Sequence, residues 1–226
     1  MPPLHDDAHA DGLITSRTHM AVGDGDRRGV LCCVHDAVGV VVFAHANGFR
    51  RSSHSNLELA RRMRLRRLDT LEFELLEPDE PHHDAHAVDI ALLADRLLQA
   101  IDALPSPQRE LPLGLFGSGH ASAAALLAET RLGTRVAAVV SRGGRPDLVA
   151  RILGEVQAPT LLLVGASDAP VLELNRQACA RLRCVKRIEL VPRASHLFQE
   201  AGALDAVAKA AGDWFCSHLQ PAHGPR

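Results

Sequence analysis

Short apolar, β-branched runs alternate along this chain with stretches of helical periodicity. Such alternation narrows the fold to a mostly parallel sheet covered by helices on both faces. The clearest run is residues 38–44 (VGVVVFA), continuous in apolar residues as strands buried on both faces are. Further strands are read at residues 15–22, 29–34, 70–76, 111–116, 136–141, 160–165 and 187–191. Helical patterns cover residues 55–68, 87–104, an Ala/Leu-rich stretch after residue 119, residues 171–182 and 204–218. Pro105 and Pro107 close the second helix. The first two strands, with a short connection, allow an antiparallel edge. Residues 77–87 (EPDEPHHDAHA) read as a polar loop, and no repeat, linker or inserted cap domain is visible.

Length and charge bound the function classes. A chain of 226 residues can bury a core without metals or disulfides, so residues 13–226 are read as one domain behind a disordered leader of residues 1–12. That leader lacks the basic start and apolar core of a secretory signal. A net charge of −2 argues against nucleic acid as the main partner, and no run is long enough to span a bilayer. The cysteines Cys32, Cys33, Cys179, Cys184 and Cys216 are odd in number and form no CxxC pair, which fits free thiols in a cytoplasmic protein. No GxGxxG follows the first strand and no phosphate-binding loop occurs, so no cofactor is expected. His82, His83, Asp84 and His86 have metal-ligand chemistry but sit in a Pro-flanked acidic loop, so a solvated loop is expected and no metal.

In open α/β sheets the functional groups gather at the carboxyl ends of the strands. Here those ends carry His45-Ala46-Asn47-Gly48, Gly117-Ser118-Gly119-His120-Ala121, Ser141-Arg142-Gly143-Gly144, Ala166-Ser167-Asp168 and Pro192-Arg193-Ala194-Ser195-His196. An acid and then a base on the last two strands is the triad order of α/β-hydrolases. With VVVFAHANG, GLFGSGHASAAALL, VVSRGGRPDL, TLLLVGASDAPVLELNR and VPRASHLFQE in sequence, residues 38–219 resemble the dienelactone-hydrolase-like branch of the α/β-hydrolases. That branch includes members named alongside phosphoribosyltransferase domains. The resemblance implies an α/β-hydrolase fold, Asp168 as triad acid and His196 as triad base.

The nucleophile position departs from the family pattern, small-x-Ser-x-small, in which bulky flanks would clash at a strained strand-to-helix turn. Two registers can be drawn. Ser118 as nucleophile would be flanked by Phe116 and His120, both large; position 119 is flanked by Gly117 and Ala121, both small. The second register places Gly119 where the serine belongs. No acyl-enzyme can then form by the usual route. Backbone oxyanion donors survive such a change: the amide of His120, and a second from the loop Ala46-Asn47-Gly48, whose Ala46 stands where the family favours glycine. Ser118, Ser122 and Ser141 are candidate replacement nucleophiles, each more simply structural, with Ser141 expected at the pocket rim.

Three functions follow as expectations. The first is direct acyl transfer from an ester or thioester to a thiol, hydroxyl or water, with His196 and Asp168 as general base, in a specialised biosynthetic pathway. The second is a dienelactone-hydrolase-like serine esterase that recruits another serine or has lost one at position 119. The third is an inactive binding or scaffold module. Arg61, Arg62, Arg64, Arg66 and Arg67 read either as a solvated basic helix end or as a docking patch for an acyl-carrier protein.

Overall fold

The computed structural model describes residues 14–23, 27–46, 54–76 and 88–219. The leader, Asn47 and Gly48, and the His82, His83, Asp84, His86 loop lie outside the described residues. Eight strands form one sheet: β1 (Ile14–Ala21), β2 (Arg28–Val34), β3 (Gly39–His45), β4 (Leu68–Glu74), β5 (Leu113–Ser118), β6 (Val136–Arg142), β7 (Thr160–Gly165) and β8 (Lys186–Val191). The helices are α1 (His54–Arg64), α2 (Ile90–Asp102), α3 (Ser106–Glu110), α4 (His120–Leu132), α5 (Ala169–Arg181) and α6 (Ala203–His218). The strand order is β1-β2-β4-β3-β5-β6-β7-β8. β1 pairs with β2 and β2 with β4 antiparallel; every later pairing is parallel. Among the described residues no cap domain interrupts this order.

Burial on both faces explains the apolar runs. All seven residues of β3 are buried. Its alternate side chains enter different cores, as the two-residue period of a strand requires. Val40, Val42 and Ala44 join Leu93, Leu97, Ala121, Ala123, Ala124 and Ala125 under α2 and α4. Val41 and Phe43 join Leu59, Met63, Trp214 and Phe215 under α1 and α6. Gly114 in β5 admits α6, since a Cβ there would stand 2.7 Å from the Phe215 ring.

Two helix boundaries differ from the sequence reading. The helix read to residue 68 stops at Arg64, and Leu68 opens β4, fully buried and paired with Gly39. The run RRMRLRRL has helical composition throughout, but Arg67 takes φ 62°, a left-handed conformation that ends helices. The second helix ends at Asp102, two residues short of the reading; Pro105 and Pro107 follow that end and also introduce the short α3. Proline is tolerated in a first helical turn, where its missing N–H has no intrahelical partner anyway.

Glu129 ties α4 to the segment that feeds β7. Its side chain is fully buried, and its Oε1 accepts from the Gln157 N–H at 2.9 Å and the Ala158 N–H at 2.7 Å. Burial pushes its carboxyl pKa up and the two amides oppose that rise. Glu129→Ala should lower the unfolding free energy by roughly 2–3 kcal/mol, the cost of leaving such donors without their acceptor, read from the urea midpoint.

Candidate active site

The chain leaves β3 in one direction, through α1 to β4, and later returns on the other side of β3 as β5. A crevice opens where such connections diverge, beyond the carboxyl ends of the strands. The structure has a cavity there of about 190 Å³, lined by Ala46, Ser118, Gly119, His120, Arg142, Gly143, His196, Leu197 and Phe198.

Gly119 forms the turn between β5 and α4, with φ 54° and ψ −125°. That backbone region strains any residue with a side chain but not glycine, and here several hydrogen bonds fix it. Here the Gly119 carbonyl accepts from the Ser122 N–H at 3.2 Å, the Ser122 hydroxyl at 2.7 Å and the Arg145 N–H at 3.2 Å. The Gly119 N–H donates to the Arg142 carbonyl at 3.3 Å. Crowding sets the register of the turn. A Cβ on Gly117 would stand 2.6 Å from Ser122 Cα and 2.7 Å from the Ala121 carbonyl. A Cβ on Gly119 would meet nothing within 4 Å. Position 119 is therefore the turn residue with open space, flanked by positions that must stay small.

Ser118 belongs to β5 instead, opposite Arg142. Its hydroxyl is buried without a hydrogen-bond partner and does not reach the imidazole of His196. Ser122 is spent on the turn. Ser141, expected at the pocket rim, is fully buried and does not line the cavity. It packs with Ser122 against Gly144, where a Cβ would stand 2.0 Å from Ser141 Oγ and 2.2 Å from Ser122 Oγ. The inward face of a strand holds it, because Ser141 points opposite to its cavity-lining neighbour Arg142. His120 does line the cavity, at the first turn of α4, where helical geometry supplies amides with no i−4 carbonyl. Ala46 lines it as well.

His196 Nδ1 lies 2.9 Å from Asp168 Oδ2. With the carboxylate ionised, the ring nitrogen donates, which leaves Nε2 as the accepting nitrogen. The imidazole is 52% exposed and the carboxylate 12%, so the ring can meet a ligand while its partner stays shielded. The other Asp168 oxygen accepts from the Val171 N–H at 3.4 Å and caps α5. Gly165 permits the meeting of the two loops. A Cβ there would stand 2.5 Å from the carbonyls of both Ala194 and Ser195. The His196 loop is held by the Ser195 N–H bond to Glu200 at 3.0 Å, and Arg193 and Phe198 take left-handed φ values of 60° and 53° on either side of it.

Sequence reasoning missed Arg142. Its Nη2 donates to Asn56 Oδ1 at 3.1 Å, and its guanidinium carbon lies 5.9 Å from the Phe116 ring centre and 5.8 Å from that of Phe198. Burial draws its pKa down to about 10. Asn56 Nδ2 donates to His45 Nδ1 at 3.2 Å. Burial first, and the Arg142 charge second, depress the His45 pKa to about 4. The only hint in the sequence was a charged residue at the end of an apolar strand. Leu197 and Phe198 were also missed, because the loop that turns them inward is a tertiary feature.

The five arginines of the α1 region do not share one open face. Arg62 bridges Glu58 and Asp205, Arg66 pairs with Asp213, and Arg67 donates to the Asp36 carbonyl. Arg64 is buried and donates to Thr70, and Arg61 lies 3.6 Å from Glu58. Among the described residues no group of three or more His, Cys, Asp or Glu could hold a metal ion, and no helix is long and apolar enough to cross a membrane.

His45 makes stability depend on pH. Above its ordinary value of 6.5 the ring is neutral folded or unfolded. As pH falls from 6.5 toward about 4, the unfolded chain takes up a proton that the folded one refuses, so stability is lost across that window. The full loss is roughly 3 kcal/mol by linkage. Urea midpoints should therefore fall between pH 7 and pH 4.5, and more steeply in the parent than in His45→Gln.

No family model matches the chain. Two curated sequences from Mycobacterium tuberculosis strains CDC 1551 and H37Rv, both provisionally named a phosphoribosyl transferase, are 41% identical over 222 residues. The match covers 96% of this chain but 48% of theirs, so the chain spans about half the length of these relatives. Among solved structures, a dienelactone hydrolase from Anabaena variabilis is 40% identical with a TM-score of 0.83, covering 91% of this chain and 98% of that one. A dienelactone hydrolase-like promiscuous phosphotriesterase from metagenomic libraries shares the fold at 20% identity and a TM-score of 0.70, covering 92% of this chain and 100% of that one. Sheet order, turn geometry and a 40% identity that runs through nearly the whole Anabaena hydrolase agree: this chain belongs to the α/β-hydrolases, in their dienelactone-hydrolase-like branch.

Proposed function

We propose that this protein transfers an acyl group directly from an ester or thioester to an acceptor, without an enzyme-bound acyl intermediate. One observation carries the reading: His196, hydrogen-bonded to Asp168, lines a cavity whose turn position is Gly119, with open space where a hydroxyl would otherwise point. In this reading the acceptor X–H occupies that space and His196 Nε2 takes its proton. The acceptor then attacks the acyl carbon, and the carbonyl oxygen turns its charge toward the amides at the start of α4. Collapse breaks the bond to the leaving group, and the imidazolium returns the proton to it. Asp168 orients the ring and stabilises its charged form. A thioester suits this route, since a thiolate leaves without a covalent enzyme intermediate to assist it.

The proposal extends to a carrier-bound acyl group delivered by an acyl-carrier protein along Arg61, Arg62, Arg66 and Arg67, without the buried Arg64. Those arginines are engaged within the chain, so such a carrier would have to exchange its own carboxylates for those of Asp205 and Asp213. A cytoplasmic setting belongs to the same proposal, supported by five free cysteines.

His196→Ala should lower kcat/KM for acyl thioester turnover about 100-fold or more, the ordinary worth of a positioned base. Equal rates in the two proteins would leave a binding module. Gly119→Ser should create what the parent lacks: a burst of acyl-enzyme and labelling by a fluorophosphonate. Labelling of the parent at Ser118 would replace direct transfer with an ordinary serine esterase.

A further inference from the structure

Arg142 is a cation on the cavity wall with no carboxylate assigned to it. Its one side-chain hydrogen bond goes to a neutral amide, Asn56. Among the described residues no carboxylate stands within ion-pair distance of it. His45, linked to it through Asn56, is held neutral and supplies no compensating charge. A half-buried guanidinium has five donors, and one bond to Asn56 leaves a fork free. Phe116 and Phe198 flank it, with ring centres 5.9 Å and 5.8 Å from the guanidinium carbon. Holding such a cation out of water with only a neutral partner is costly, unless an anion completes the site.

The position of Arg142 decides which reactant would bring that anion. Phe198, one of the two rings on the guanidinium, belongs to the His196 loop. Gly143, the next residue after Arg142, approaches the same imidazole: a Cβ there would lie 3.8 Å from His196 Cε1. Arg142 therefore stands on the imidazole side of the cavity, where an acceptor must present its X–H. We propose that Arg142 binds a carboxylate or phosphate carried by the acceptor, so that the acyl group is passed to a small anionic thiol or alcohol. This rests on the direct-transfer reading above. It also supplies what that reading needs. An acceptor with no covalent anchor must be held in line, and a charged fork bonded to its far end does so. The reaction balances as thioester plus anionic X–H giving the new acyl–X bond and a free thiol, with His196 carrying the proton from one to the other.

The test uses a neutral donor, S-phenyl thioacetate, and two thiols of similar length, mercaptoacetate and 2-mercaptoethanol, after subtraction of uncatalysed exchange. The parent should favour mercaptoacetate by about tenfold or more in kcat/KM, the worth of one charge-assisted contact. Arg142→Gln should collapse that ratio to about one, and Arg142→Lys should keep part of it, since charge remains but the fork is lost. Circular dichroism and calorimetric binding of mercaptoacetate accompany the rates, so that a misfolded variant is recognised and Arg142→Lys then decides. Equal use of both thiols by the parent would overturn the anionic acceptor and leave direct transfer standing. Preference for a succinyl over an acetyl thioester donor, lost in Arg142→Gln with no preference among thiols, would assign the anion to the donor and overturn it likewise. Mercaptoacetate binding that needs Arg142, in a parent that transfers nothing, would overturn the transfer reading and the acceptor assignment together.

Discussion

The carbonyl of Gly119 accepts three hydrogen bonds, two from Ser122 and one from Arg145, and the geometry of the cavity follows from that clamp. Glycine adopts φ 54° and ψ −125° without the strain a side chain would bring, and the three bonds hold it there. Held this way, the turn ends β5 abruptly and starts α4 beside the cavity that His120 lines. Ser122 also shares the crowded contact with Gly144, so the β6 end is locked to the same turn. The clamp is built entirely from backbone and Ser122, and it does not need a side chain at residue 119. The turn therefore keeps its geometry with glycine at this position.

The second constraint is close backbone approach at the two loops that carry Asp168 and His196. Gly165 brings the end of β7 within contact of the Ala194 and Ser195 carbonyls, distances that exclude any Cβ. Asp168 then has two tasks, capping α5 with one oxygen and holding the imidazole with the other. A carboxylate fixed at both oxygens has little freedom left, so the ring it holds inherits a defined direction. This is ordinary preorganisation, reached through packing and not through extra contacts to the ring itself.

Charge is distributed unevenly around the cavity. The imidazole has its carboxylate, whereas Arg142 has an amide and two aromatic faces. The neutral His45 behind it reflects the same field, since burial and that cation both resist a second positive charge. A site with this charge distribution favours a ligand that brings negative charge.

Much of this was legible in the residues. The β-branched runs determined a sheet buried on both faces, because only strands with two apolar faces need them. The strand ends then presented Asp168 and His196 in triad order, and the small flanks Gly117 and Ala121 chose the register around Gly119. Boundaries were less legible where composition was uniform: RRMRLRRL carries helical residues past the point where Arg67 turns left-handed. Ser141 and Arg142 are adjacent in the sequence, yet one is sealed in the core and the other lines the cavity. Strand alternation fixed that they face opposite ways; only the packing of α4 and the His196 loop decided which face was which. Local pattern determined the elements and the positions of Asp168 and His196, because periodicity and chain order are written locally. The uncompensated cation and its aromatic walls were decided by tertiary structure, because Asn56, Phe116, Arg142 and Phe198 come from four separate segments and meet only when the sheet is assembled.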